Sequence, residues 1–405
     1  MTAPAAKLPG RLAANRGVLL GFVLGAVALL VVAPVVLSDF RLALLGRFIC
    51  YGIVAVGIGL AWGRGGMLTL GQGVFFGLGG YVMAMHLKLS DAGPSGVPDF
   101  MRLYGSGQLP FWWEPFRSPG LTLLGVVLVP SLVAFGLGTA IFRRRVRGAY
   151  FAILSQALAA AFAILLIGQV ATIGGFNGLN GFRSFFGFNL FDPANKRMLF
   201  YIAAVTLLVM LLIVWQLYRS RYGELLIAVR DQEERVRFLG YDPANIKTVA
   251  YVLAAAMAGI GGALFVPIVG IISPANVGVI ASITFLIGVA IGGRATLFGP
   301  ALGAIAVAWA QTSLSESFPS FWTYFQGALF VLVVAFLPAG LSSVGLLRGS
   351  LGSWLPRGRR TDGQAGPTAA EATAEPPPPA QPSGAANPQH PEPGPSGVRA
   401  GSEAG

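Results

Sequence analysis

RSRYGELLIAVRDQEERVRFLGYDPANIK, residues 219–247, is the longest strongly charged stretch between apolar runs in this chain. About 200 residues of apolar runs precede it, and the chain turns apolar again directly after it. The stretch reads as a helix. Arg230 with Glu234, Asp231 with Arg235 and Glu233 with Arg237 are spaced four apart, so each pair is expected side by side on the helix surface. Leu225, Val229, Val236 and Leu239 fall on one apolar stripe. Gly240 followed by Pro243 is a stop signal. A short amphipathic helix at a membrane surface, showing a mixed-charge face, satisfies all of this. Two uses fit it: a solvated connector between spans, or a docking helix for a soluble partner.

Composition settles the class around that helix. Of 405 residues, 55% are hydrophobic and only 11% charged, with a mean hydropathy of +0.70. A soluble domain carries about a quarter charged residues. The 56 glycines suit close helix packing in lipid. The expected fold is an all-α polytopic membrane protein of about ten transmembrane helices, with a cytoplasmic coupling helix and a disordered C-terminal tail. The net charge of +12 does not point to nucleic acid, because the bases are scattered through short interhelical segments. The single Cys50 excludes an internal disulfide, and the first apolar run lacks a small-residue cleavage site and is long enough to span.

In order, residues 1–16 form a polar leader and 17–347 the transmembrane domain, with apolar runs at about 17–37, 42–63, 67–88, 120–142, 149–171, 198–218, 248–270, 279–293, 299–315 and 322–346. The runs at 279–293 and 299–315 are marginal for a bilayer crossing of about 20 residues. With a cytoplasmic N-terminus and ten crossings, twenty of the 28 bases fall inside, which places both termini and the amphipathic helix in the cytoplasm. Residues 348–405 are rich in Pro, Ala and Gly, cannot bury a core, and are expected to be disordered. Two glycine-rich entries, GRGGMLTLGQGVFFGLGG at 63–80 and GGRATLFGPALGAIA at 292–306, are loosely alike, as interrupted segments on a transport pathway can be.

Several chemistries are missing. The two histidines and one cysteine make no metal set or nucleophile pair. None of the four lysines follows a glycine, so there is no phosphate-binding loop. The acids lie in loops or at span edges, which argues against ion coupling and against a charged substrate needing a buried counter-ion. Inside the spans remain Thr69, Gln72, Ser155, Gln156, Gln169, Thr172, Ser282, Thr284 and Gln311, each able to make an interhelical hydrogen bond or to pass a neutral solute. Gln72, flanked by glycines and followed by Phe75 and Phe76, is the best pathway candidate.

The segment GELLIAVRDQEERVRFLGYDPANIKTVAYVLAAAMAGIGGAL resembles the cytoplasmic coupling segment of ABC transporter permeases for branched-chain amino acids and related substrates, through Gly223, Ala228, Val229, Arg230, Asp231, Glu233, Leu239 and Gly240. GGMLTLGQGVFFGLGGYVMA resembles the same family's early signature, with Thr69 where serine is usual. The outer segments PDFM, LPFWWEP and NGLNGF followed by FGFNLFD look most similar to the urea permease subunit, although Asn180 stands where threonine is common there. The resemblance implies a permease in the inner membrane that is not itself an enzyme. It would have no cofactor of its own, and ATP would be bound by two separate ATPase chains. It also implies a homologous second permease and a periplasmic or lipid-anchored solute-binding protein as partners, with membrane lipids around the chain. The ATPase-coupling residues would be Gly223, Glu224, Ala228, Arg230, Asp231, Glu233, Arg237 and Gly240, with the apolar stripe in an ATPase groove. The substrate pathway would include Thr69, Gln72, Phe75, Phe76 and Asn177. The loops at 89–119 and 172–197 would receive the binding protein, unless Phe111, Trp112, Trp113 and Phe116 form an interfacial aromatic belt.

Urea is then the expected substrate, with branched-chain amino acids or short amides as the alternative. A passive channel for a small neutral solute fits the uncharged spans but leaves the helix at 219–247 without a purpose.

Overall fold

The computed structural model describes residues 10–93, 96–146 and 148–317, and five positions between 324 and 331. The apolar run at 322–346 lies outside the described residues save for those five positions, and the tail at 348–405 lies outside them altogether.

Ten principal helices follow one another. They are α1 (Gly10–Val27, running on through a π turn at Ala28–Val32 to Ala33–Val36), α2 (Asp39–Ile58, ending in a π turn at Gly59–Arg64), α3 (Gln72–Ala92), α4 (Pro119–Arg143) and α5 (Ala149–Gly168). After them come α6 (Pro193–Arg219), α7 (Arg221–Phe238), α8 (Pro243–Val269), α9 (Val279–Gly292) and α10 (Gly299–Ser317). Seven stretches among the described residues are long and apolar enough to cross a membrane: Arg16–Val36, Asp39–Arg64, α4, α5, α6, α8 and Pro274–Gly292. Helices α3 and α10, with 21 and 19 residues, have the length but are diluted by glycine and polar side chains. The expectation of an all-helical membrane bundle holds, with seven clear spans among the described residues.

One local signal starts three segments. The tetrapeptide Asp-Pro-Ala-Asn opens α6 at Asp192 and α8 at Asp242, and Ser-Pro-Ala-Asn opens the turn before α9 at Ser273. Asp192 and Asp242 each accept a hydrogen bond from the amide two residues on, at 3.1 and 3.0 Å. Proline at the next position gives up an amide that the first turn cannot use.

Helix α8 is the centre of the bundle and packs against α2, α3 and α4. Helix α2 also lies against α6 and α10, and α9 pairs with α10. The approach is close because the facing residues are small. The backbone of Gly79 in α3 lies on that of Gly259 in α8, and Gly262 sits against the carbonyl of Phe76. On its other side Gly259 meets Pro130, the proline inside α4. Association in lipid relies on such contact, since apolar side chains gain nothing over lipid tails. Helix α1 stays peripheral, touching the bundle through Phe22, whose ring lies 5.1 Å from Phe298 and 6.2 Å from Trp215.

The third span differs from expectation. It becomes helical only at Gln72, and residues 67–71 form an irregular entry. The glycines at 65, 66, 71 and 73 favour turns over a continuous helix. The outer loops are also less simple than loops. Leu179–Asn180 pairs antiparallel with Ile271–Ile272, and Ser184–Phe185 with Phe188–Asn189.

A β-carbon at position 259 would stand 2.5 Å from Pro130 Cγ and 2.7 Å from the Val126 carbonyl oxygen. Gly259→Val is therefore expected to destabilise the bundle by about 1–3 kcal/mol. Gly136→Val, where nothing lies within 4 Å, should be neutral. Thermal unfolding of both variants in detergent checks this.

Candidate functional site

The surface helix α7 is tied to the bundle at both ends. Ser220 caps it, accepting from the Gly223 amide at 3.3 Å. Gly223 packs against the last turn of α6, where a side chain would strike the Leu217 carbonyl. Tyr222 donates its hydroxyl to the Ile246 carbonyl in α8 at 2.7 Å. At the far end Gly240, at φ +85°, turns the chain toward Asp242.

The helix is not continuous. Gln232 has φ −148° and ψ 70°, so two helical pieces meet there at a kink. This explains why only one of the three expected charge pairs forms. Glu233 and Arg237 lie on one side of the kink and meet at 3.4 Å. The pairs 230–234 and 231–235 would cross it, and no ion pair joins them among the described residues. Instead Arg230 holds its neighbour Asp231 at 2.7 Å, and that hydrogen bond keeps the Asp231 carboxyl below its usual range. Arg230 also donates to the Gly63 carbonyl at the end of α2, at 2.8 Å. Gly66, at φ +68°, leaves room for the arginine stem. Past the kink, Glu233 reaches Lys247 of α8 at 2.7 Å, with both side chains largely buried.

Of the expected apolar stripe, Val229 and Val236 are buried in this chain beside Leu226, Leu225 is half-buried and Leu239 is exposed, so half of the stripe is withdrawn from any partner's groove. What faces outward is Glu224, Ala228, Asp231, Gln232, Glu234 and Arg235, followed by Phe238 and Leu239, which are 90% and 75% exposed.

Behind α7 a cavity of ≈ 300 Å³ lies against Met67, Leu68, Phe142, Phe151, Arg230 and Lys247. Next along the chain is the irregular entry to α3. Ser155 of α5 accepts from the Leu70 amide at 2.9 Å, and Ser282 of α9 accepts from the Gly73 amide at 3.0 Å. The Thr69 hydroxyl accepts from the Gly71 amide at 3.4 Å. Gln72 is 1% exposed, and neither its Oε1 nor its Nε2 has a hydrogen-bond partner among the described residues. A buried amide left this way costs about 1–3 kcal/mol.

Phe75 and Phe76 are both fully buried and point into different clusters, as successive residues on a helix must. Phe75 stacks edge-on to Tyr251 at 5.4 Å, beside Phe142 and Phe151. Phe76 joins Tyr51, Phe265 and Phe285, one ring from each of α2, α3, α8 and α9, with centroids 5.2–6.1 Å apart. On the far side of this cluster from α7 is a cavity of ≈ 140 Å³, lined by Arg47, Tyr51, Phe76, Asn276, Thr284 and Gln311. Arg47 corrects the expectation of uncharged spans: that reading weighed acids only, whereas an arginine six places into the apolar run 42–63 was the available signal.

Asn177 is not in this file of residues. It is exposed, in a short turn (Gly175–Asn177) that packs on the turn Pro274–Asn276 in the outer layer. The two glycine-rich entries do come together: Gly63 packs on the Arg294 carbonyl, and the Arg294 guanidinium lies 4.8 Å from the Trp62 ring centre. In the long loop Trp113 is fully buried while Phe111 is 86% exposed, so these aromatic residues do not act as one surface.

A helical bundle with seven stretches long and apolar enough to cross a membrane among the described residues, buried polar side chains at its centre and a tethered surface helix is the architecture of an integral membrane protein. The chain belongs to the family of branched-chain amino acid transport system permease components, whose model matches residues 40–334. Two curated relatives are similar over most of their length. Both are high-affinity branched-chain amino acid transport system permease proteins LivM, one from Salmonella typhimurium strain LT2 and one from Escherichia coli strain K12. Each is 28% identical, over 340 and 342 residues respectively, covering 78% of this chain and 73% of the relative. Neither name mentions urea. No solved structure matches.

Replacing Glu233 by glutamine would leave Lys247 charged and largely buried without its carboxylate. Glu233→Gln is expected to loosen the joint between α7 and α8 by about 1–3 kcal/mol. Faster amide hydrogen exchange across residues 232–247, with exchange in α4 unchanged, is the expected result.

Proposed function

We propose that this chain is a membrane-spanning permease subunit of an ATP-driven importer, and that its substrates are branched-chain amino acids. The observation that carries the transport reading is the attachment of α7. One helix, kinked at Gln232, holds α2 through Arg230 and α8 through Glu233, while its outer face is left to a partner. A passive channel would have no use for this arrangement. The relatives' names carry the choice of amino acids over urea.

In this reading two cytoplasmic ATPases bind ATP, and one receives α7. Phe238 and Leu239 are the apolar anchor, and Glu224, Ala228, Asp231, Glu234 and Arg235 set its register. Arg230, Glu233 and Arg237 act behind that surface, joining it to the bundle. A second permease chain and a solute-binding protein complete the assembly. In this reading the chain lies in the inner membrane with α7 and both termini cytoplasmic, the orientation that the distribution of bases favours. ATP binding and hydrolysis move the bundle between outward- and inward-facing states. Urea is the second reading, favoured by the likeness of the segments at 98–115 and 177–192 to urea permeases.

Uptake of labelled leucine and labelled urea at micromolar concentration, with and without the chain and with and without ATP depletion, tests the proposal. Leucine uptake lost on deletion and on depletion is the expected result; urea uptake behaving that way would favour the second reading. Flux that needs the chain but survives depletion would sink the importer reading altogether. Phe238→Asp should abolish import with membrane insertion unchanged, since this side chain is 90% exposed.

A further inference from the structure

Arg47 lies in a clear membrane span, about 12 Å along α2 from Asp39 at 1.5 Å per residue. A guanidinium at such depth costs a few kcal/mol unless something compensates it, and an ionisable residue inside a span marks function by default. Here, among the described residues, the compensation comes from Tyr51 alone, whose ring centre lies 5.7 Å from the guanidinium carbon. Arg47 Nε donates to the Tyr51 hydroxyl at 3.2 Å. No carboxylate among the described residues pairs with it, and its two terminal nitrogens have no acceptor there.

The cavity in front of it has a distinct chemistry. One wall is the guanidinium. Another is formed by the rings of Tyr51, Phe76 and Phe285, and a third carries Asn276, Thr284 and Gln311. Ile280 and Ala281 add an apolar edge. A guanidinium fork takes a carboxylate through two parallel charge-assisted hydrogen bonds. Aromatic faces attract an ammonium group. An α-amino acid carries both groups and an apolar side chain, whereas urea carries no charge for the arginine to meet. The floor of the cavity is the four-ring cluster, and Gln72 lies one helical turn beyond Phe76.

We infer that Arg47 receives the carboxylate of an amino acid substrate in this cavity, on the side of the ring cluster away from α7. The inference deepens the proposed function and rests on its reading of the substrate as an amino acid.

The test is ATP-dependent uptake of labelled leucine by cells carrying the complete transporter, with Arg47→Gln, Arg47→Lys and Arg41→Gln in this chain. Removing an unpaired charge from a span eases insertion, so the glutamine variant should reach the membrane at the wild-type level. Arg47→Gln should lower uptake at least ten-fold, Arg47→Lys should restore part of it by keeping the charge, and Arg41→Gln, exposed on the same helix, should match wild type. ATP hydrolysis by the assembled complex without substrate should be the same in all four. Uptake by Arg47→Gln above half the wild-type rate would overturn the assignment while leaving the amino acid importer intact. Equal loss in the lysine and glutamine variants would also overturn it, because packing rather than charge would then be the cause. A wild-type transporter that imports urea and no leucine would overturn both readings.

Discussion

Everything in this bundle depends on how near α8 comes to its neighbours. Lipid offers no drive for apolar faces to associate, so helices hold together only where atoms touch over long lines. Helix α8 presents bare backbone at Gly259, Gly261 and Gly262, and there it lies directly on α3, on α4 and on the Cys50 carbonyl of α2. With three helices drawn in to backbone contact, their aromatic side chains are pushed into the remaining spaces. The ring clusters around Tyr251 and Phe76 follow from that packing as much as from their own attraction.

The same economy governs the irregular entry to α3. Unpaired backbone amides cannot be left in hydrocarbon, so an interrupted span survives only where neighbours supply acceptors. Ser155 and Ser282 do this from two different helices. They fix the irregular entry in place and leave the one long polar side chain beside it, Gln72, without a hydrogen-bond partner among the described residues. The serines support the segment, and the glutamine amide stays unspent inside the bundle.

Much of this was legible in the sequence. Hydropathy and length gave most of the helices, because a membrane span is a strong one-dimensional signal. Gly240 and the Asp-Pro pair at 242–243 marked the end of α7 and the start of α8 by local backbone chemistry alone. Gln72 stood out through its flanking glycines. What failed depended on partners distant in the chain. Two of the three charge pairs expected in α7 do not form because nothing local announces a kink at Gln232; that break accompanies the hydrogen bond of Arg230 to Gly63 and the ion pair of Glu233 with Lys247. The expected apolar stripe divides, with Val229 and Val236 turned into the bundle and Leu239 left exposed, since a helix face does not say which neighbour it meets. Arg47 was passed over because its significance lies in the cavity it faces, which four separate segments build.

The kink at Gln232 gives α7 a mechanical property that a straight helix would lack. Arg230 grips the end of α2 from one side of the joint, and Glu233 grips the start of α8 from the other. A push that bent the joint would therefore not load the bundle as a block. It would load α2 against α8 in shear, and those helices carry Tyr51, midway along α2, and Phe265, near the far end of α8, stacked 5.7 Å apart. Sliding would part stacked rings more cheaply than pulling them straight apart, so a joint gripped from both sides would bear on the ring cluster along its softest direction.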